Sequence, residues 1–174
     1  MSPLATRLAR YRLLVGLAAG VFALDQVSKL WIDATLPFNT YGPPGHIEIV
    51  AGFFNLVHVG NTGAAWSVLS DRSLLLALLA PVALLAIFLA RRHLGLGLRP
   101  VQIAFGLLCG GILGNFADRI RIGHVVDFLD FHFGSYIYPT FNIADSGIVC
   151  GVILYAFLSF RSPQPESPAK NNAP

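Results

Sequence analysis

The sequence predicts an all-α polytopic membrane protein, with four transmembrane helices and a small antiparallel β-sheet on the outer face between helices 1 and 2. Three observations predict it. Hydrophobic side chains make up 55% of the 174 residues and charged ones only 12%, about half the usual quarter of a soluble chain. The apolar residues fall into four runs of membrane-spanning length. The basic residues collect on one side of those runs. This composition excludes a disordered chain, a collagen-like repeat and a secreted disulfide scaffold. The net charge of +3 is no nucleic-acid footprint, because the basic residues flank spans and form no patch.

The first run, Tyr11 to Ile32, is interrupted by Arg12, Asp25, Gln26 and Lys29. Its basic lead-in and small residues (Ala18, Ala19, Gly20, Ala23) also permit a cleaved leader. Cleavage would discard or expose Asp25 and Lys29, so a retained span is preferred. Ser73 to Ala90 is 18 residues without a charge, and Val101 to Ala117 is 17 with only Gln102 and Asn115 strongly polar. Tyr138 to Phe160 is 23 residues, interrupted by Asn142 and Asp145. About 20 such residues cross a hydrocarbon core of about 30 Å. A soluble domain of this size has no use for four helices apolar on every face. Cys109 and Cys150 fall inside spans without CxxC spacing and read as small packing residues.

Arg7, Arg10 and Arg12 precede the first span, Arg91, Arg92 and Arg99 separate the second from the third, and Arg161 and Lys170 follow the fourth. Only Glu166 among the acids shares their side, so the positive-inside rule places both termini in the cytoplasm. Between the first two spans, His46–Val50, Phe53–Val59 and Ala64–Leu69 are short, β-branched or aromatic, and bounded by turn residues. They predict the three strands of the outer sheet, with Phe53, Phe54 and Trp66 at the interface. One membrane domain is expected over 1–161, with spans near 11–32, 73–90, 100–119 and 138–160. An outer β-region covers 37–69, an outer loop covers 120–137, and 162–174 is a disordered cytoplasmic tail by composition.

Helix rise converts positions into depths. From Arg12, Asp25 lies about 20 Å up and Lys29 about 26 Å. From Arg99, Asn115 lies about 24 Å up, Asp118 about 28 Å and Arg119 about 30 Å. From Arg161, Asp145 lies about 24 Å up and Asn142 about 29 Å. Three helices thus place their polar groups in one layer near the outer boundary. Within each helix they share a face at i, i+3 or i, i+4 spacing. Gly16 and Gly20, Gly106, Gly110 and Gly114, and Gly147 and Gly151 recur at four-residue spacing, which lets helices approach closely in lipid.

Two readings of the polar layer stand. Asp25 with Lys29, and Asp118 with Arg119, can serve as interhelical glue. Asp127 and Asp145 resist that reading, because basic residues at this level are too few for the acids, and a buried ionisable group is a functional candidate by default. Asp127 follows the third span after a short turn and Asp145 opens the fourth, so both can reach one point. Two carboxylates held close share a proton, giving one base and one acid at neutral pH. That suits peptide hydrolysis without a metal or a nucleophilic side chain. A proton-coupled carrier is the main rival, and a non-catalytic assembly protein the third reading. There is no HExxH or GxSxG motif. The five histidines (His46, His58, His93, His124, His132) lack ligand spacing and read as interfacial. Asp130 and His132 read as a solvated loop face, and Ser146 as a hydrogen-bond donor or a packing residue.

At these residues the chain resembles lipoprotein signal peptidase, the bacterial signal peptidase II family. The resemblance rests on Asp25-Gln-Val-Ser-Lys29, Asn61-Thr-Gly-Ala-Ala-Trp66, Gly110-Gly-Ile-Leu-Gly-Asn-Phe-Ala-Asp-Arg119, Val125-Val-Asp-Phe128 and Phe141-Asn-Ile-Ala-Asp-Ser146. It covers nearly the whole chain except the tail; Trp66 departs from the family's usual phenylalanine. The resemblance implies four spans with a periplasmic β-cradle, in the bacterial inner membrane, the active site on the periplasmic side. It implies aspartic proteolysis by Asp127 and Asp145 without cofactor or metal. Asp25, Lys29, Asn61, Asn115, Asp118, Arg119 and Asn142 match supporting or substrate-binding positions, with Arg119 and the asparagines expected to hold substrate backbone. The implied substrates are diacylglyceryl-modified prolipoproteins, cut just before the lipidated cysteine. Membrane lipid is the other expected partner.

Overall fold

The computed structural model describes residues 10–64 and 68–161. Four helices are long and apolar enough to cross a membrane: α1 (Arg12–Thr35), α2 (Ser73–Ala90), α3 (Arg99–Ile122) and α4 (Ile143–Arg161). α1, α2 and α4 all pack on α3. α3 is the most buried span, and α2, the most apolar, is the least buried. Their ends follow local chemistry. α1 stops where Leu36 turns extended before Pro37, as the residue preceding a proline disfavours helix. α3 starts with Pro100 in its first turn and ends at Gly123, whose φ of 79° is the left-handed cap glycine tolerates.

Glycine faces let α3 sit between α1 and α4. A Cβ on Gly106 would lie 2.7 Å from that of Leu17, and one on Gly110 would lie 2.7 Å from the Ala18 carbonyl oxygen. Gly111 lies against the Ala144 carbonyl, and Gly151 leaves 2.6 Å to that of Ala104. Gly16 and Gly20 behave differently from the expectation. A side chain on either would meet nothing within 4 Å, so this pair lies off the helix seam.

The sheet is larger and less local than expected. Its order is β1-β2-β3-β4, from β1 (Ile47–Val50), β2 (Phe54–Asn61), β3 (Val125–Phe133) and β4 (Tyr136–Ile137), all antiparallel. Half of it comes from the segment between α3 and α4, so 120–137 is no simple outer loop. Ala64 and Leu69 lie in bends and turns and not in a third local strand. Positions 65–67, Trp66 among them, lie outside the described residues, as does the tail from 162 to 174. The fourth helix begins at Ile143, five residues later than the apolar run suggested.

One irregularity in β2 decides where Asn61 points. Leu56 pairs with Leu129, but Val59 pairs with Asp127, so Val57 and His58 together oppose Phe128. That extra residue shifts side-chain parity by one. It puts Asn61 on the same face as Asp127; in unbroken register Gly60 would take that place. Ile32 of α1 and Leu36 just beyond its end pack on Val126 and Phe128 of β3, with Ile47, Leu56, Leu129 and Ile143 around them. This apolar cluster seats the sheet on the helix ends.

Candidate active site

α1, α3 and α4 bring their polar residues together where the sheet meets the helices, forming two groups of carboxylates. The first group is centred on Lys29. Asp25, Lys29 and Asp118 are all 0% exposed. The Lys29 ammonium lies 2.9 Å from Asp25 Oδ2 and 2.8 Å from Asp118 Oδ2. Asp118 therefore pairs with Lys29 across the helix interface, and not with its sequence neighbour Arg119. Gln26, to which sequence reasoning gave no role, donates to both Asp25 Oδ2 and Asp118 Oδ1 at 3.1 Å.

Each acid of this group also holds the backbone beside one acid of the second group. Asp25 Oδ1 accepts the Ala144 N–H at 2.9 Å, next to Asp145. Asp118 Oδ2 accepts the Val126 N–H at 3.3 Å, next to Asp127. The buried ion cluster is thus a clamp on both chain segments that carry the second pair.

The second group, Asp127 on β3 and Asp145 in the first turn of α4, has no ion-pair partner among the described residues. Amides hold it. Asn61 Nδ2 donates to Asp127 Oδ2 at 2.8 Å, and Asn142 Nδ2 donates to Asp127 Oδ1 at 2.7 Å. Asn115 Nδ2 donates to Asp145 Oδ1 at 2.7 Å. Asn142 and Asp145 also form a reciprocal capping box at the start of α4. The Asp145 N–H donates to Asn142 Oδ1 at 2.9 Å, and the Asn142 N–H to Asp145 Oδ2 at 3.3 Å. The motif satisfies two orphan donors of the helix and sets Asp145 where the helix dipole favours negative charge.

The amide orientations are fixed from behind. Lys29 Nζ and Asn142 Nδ2 both donate to Asn115 Oδ1, at 3.0 and 3.3 Å, so the Asn115 nitrogen is left facing Asp145. The Gly63 N–H donates to Asn61 Oδ1 at 2.9 Å and turns the Asn61 nitrogen to Asp127. The asparagines expected to hold substrate backbone are therefore engaged with the carboxylates. Arg119 points its guanidinium to the Gly63 carbonyl at 2.7 Å, and its Nε is buried without a hydrogen-bond partner among the described residues.

Burial is the main force on Asp127, which lies outside the spanning helices and is 2% exposed. Desolvation pushes its carboxyl up from 3.8, the Asp145 charge pushes it further, and Asn61, Asn142 and Lys29 pull it back, leaving it at about 7. Both carboxylates line a cavity of about 1250 Å3. Aromatic residues of the sheet side (Phe53, Phe131, Tyr138) wall one part, and apolar residues of α2 (Leu76, Leu79, Ala83) wall another. Among the described residues no His, Cys, Asp and Glu side chains group as a metal site.

Three smaller readings change. His58 is buried rather than interfacial, its Nδ1 2.9 Å from the Leu36 carbonyl. Asp130 is buried rather than solvated, held by Asn55 at 3.3 Å and lying 2.6 Å from His132 Nε2. Cys150 is exposed and lines the cavity, while Cys109 is buried. Ser146 donates to the Asn142 carbonyl at 3.0 Å.

Residues 17–161 match the family model described as signal peptidase (SPase) II. The lipoprotein signal peptidase of Nitratidesulfovibrio vulgaris is 39% identical over 166 residues, covering 90% of this chain and 94% of that one. That of Aeromonas hydrophila is 44% identical over 151 residues, covering 84% and 87%. A bacterial membrane enzyme structure solved in meso at 2.3 Å superposes with a TM-score of 0.76 at 34% identity, covering 90% of this chain and 94% of the other. With four membrane-crossing helices under an antiparallel sheet, and a family match spanning nearly all the described residues, the chain belongs to the signal peptidase II family.

Proposed function

We propose that this protein is an aspartic endopeptidase that removes signal peptides from diacylglyceryl-modified prolipoproteins, cutting just before the lipidated cysteine. The observation that carries the reading is the pair Asp127 and Asp145. Asp127 is buried and Asp145 part-buried; among the described residues neither has an ion-pair partner, both are tied to Asn142, and both lie on the wall of a large cavity that is part aromatic and part apolar. One carboxylate takes a proton from water as the water oxygen attacks the scissile carbonyl carbon. The dyad holds the tetrahedral diol, and the protonated carboxyl then gives its proton to the leaving amine as the C–N bond breaks. Arg119, with its unpartnered buried Nε, is the group placed to bind a substrate carbonyl; it supplies no transferable proton.

The cavity suits such a substrate. Polar chemistry sits at its sheet end, and its α2 side continues into apolar surface where acyl chains and a hydrophobic signal segment are at home. The arginine asymmetry supports an orientation with both termini cytoplasmic and the dyad at the periplasmic side of the inner membrane. The carrier reading finds no support. Between Asn115 and Gln102 the buried residues of α3 are Gly114, Gly111, Gly110, Cys109, Gly106, Phe105 and Ala104, which offer a proton no polar path.

The test is cleavage by the purified full chain of a prolipoprotein with and without its diacylglyceryl group, read by product mass. The expected product begins at the lipidated cysteine and forms only from the modified precursor. Absence of cleavage, or inhibition by a chelator, contradicts the reading.

A further inference from the structure

Gln102 is the second strongly polar residue of the third span, and nothing at the dyad uses it. It lies at the opposite end of α3, is 4% exposed, and donates its side-chain amide to the Arg10 carbonyl at 2.9 Å. A buried amide inside a span is costly unless it fixes something. What it fixes is one wall of a second cavity, about 340 Å3, lined by Arg10, Arg12, Leu13, Gly97, Arg99 and Gln102. A Cβ on Gly97 would lie 2.8 Å from Arg10 Nη2, so glycine there leaves the guanidinium its seat against the backbone.

The electrostatics of this cavity are one-sided. Among the described residues none of the three guanidinia has a carboxylate within ion-pair distance. α1 and α3 both begin here, and neither N-terminus carries a side-chain cap, which adds their positive dipole ends to the arginine charge. Guanidinium groups match phosphate oxygens in geometry as well as charge. The cavity lies where two spans start, which the arginine asymmetry assigns to the inner headgroup level.

We infer that the Arg10–Arg12–Arg99 cavity binds a phosphate-bearing anion, presented at this level by the headgroup of an anionic phospholipid. Such a site ties the inner ends of α1 and α3 to the lipid around them, some 20 Å or more from the dyad by helix rise.

The experiment is native mass spectrometry of the full chain in detergent, titrated with phosphatidylglycerol, with phosphatidylcholine, or with inorganic phosphate. Wild type is expected to hold one phosphatidylglycerol tightly and no phosphatidylcholine. The combined Arg10→Gln, Arg12→Gln, Arg99→Gln variant is expected to bind it about a hundredfold more weakly. The combined Arg10→Lys, Arg12→Lys, Arg99→Lys variant, which keeps every charge but loses the guanidinium geometry, is expected to lose affinity several-fold. Precursor cleavage at an unchanged rate shows that each variant is folded. Displacement of the lipid by equimolar inorganic phosphate assigns the cavity to a free anion; retention of the lipid assigns it to the headgroup. Phosphatidylglycerol binding unchanged in the glutamine variant, equal binding of phosphatidylcholine, or no effect of the lysine variant overturns the inference, the last reducing it to diffuse charge.

Discussion

Two pairs of carboxylates, all buried except the part-buried Asp145, lie at the same level of this protein, and their neighbours make them chemically different. Asp25 and Asp118 share the ammonium of Lys29 and accept backbone N–H groups. Asp127 and Asp145 receive only carboxamide and backbone donors. The shared cation ties the first pair into a structural anchor. Its absence leaves the second pair able to keep a proton at neutral pH, while amides fix where its oxygens point. One polar layer thus divides into an anchor and the proposed catalytic pair: the anchor consumes the cation and grips the chain beside Asp127 and Asp145.

The sharpest way to break the contrast is to neutralise each acid of the proposed catalytic pair in turn. Asp127→Asn or Asp145→Asn is expected to lower turnover of the lipid-modified precursor by about a thousandfold, the scale of lost acid–base catalysis, with near-normal thermal stability in detergent. Removing the cation should do the reverse. Lys29→Met leaves two buried acids uncompensated and is expected to cost about 3–5 kcal/mol of stability, read as a fall in Tm. Adding Asp118→Asn should recover part of that loss.

Subtler changes tune the reactive pair. With Asp127 at about 7, the dyad keeps its shared proton below that value and loses it above. kcat/KM is therefore expected to fall as pH rises through about 7, a limb that belongs to the pair and not to one residue. Asn61→Ala deletes a donor that favours the ionised form, so the limb should move to higher pH; kcat should drop about tenfold, toward the low end of what positioning groups supply. The smallest contrast is between two glycines. Gly111→Ala meets the Ala144 carbonyl and should disrupt helix packing, whereas Gly16→Ala meets nothing and should stay within about 0.5 kcal/mol.

The spans and the polar layer were legible because run length and helix rise are local properties. Residues such as Asp25, Asn115 and Asp145 fall at one depth by counting alone. The sheet was only half legible. β3 is rich in aromatic and β-branched residues, but its acids stand three apart and its partner β2 lies across two intervening spans, so neither alternation nor a turn between neighbouring runs announces the pairing. Ala64–Leu69 carried similar residue types, but its described residues Ala64, Val68 and Leu69 lie in bends and turns. Burial of His58 and Asp130 depends on which strand face meets the core, and the β2 irregularity resets that face. Gly16 and Gly106 sit in equivalent four-residue patterns, yet only one faces a neighbour. Gln26 was visible beside Asp25, but its value comes from reaching Asp118 on another helix. The asparagine roles turned on amide orientation, which Lys29 and the Gly63 N–H impose and no motif displays.

The central claim is that Asp127, in the pair without a cation, keeps a proton up to about pH 7. Infrared titration of the carboxyl carbonyl band in the purified protein tests it directly. One protonated carboxyl is expected to persist at pH 6 and to ionise through about pH 7. In Asp145→Asn that ionisation should move to lower pH, because the neighbouring charge is gone. A protein with no protonated carboxyl at pH 6, or a titration unmoved by Asp145→Asn, would contradict the account.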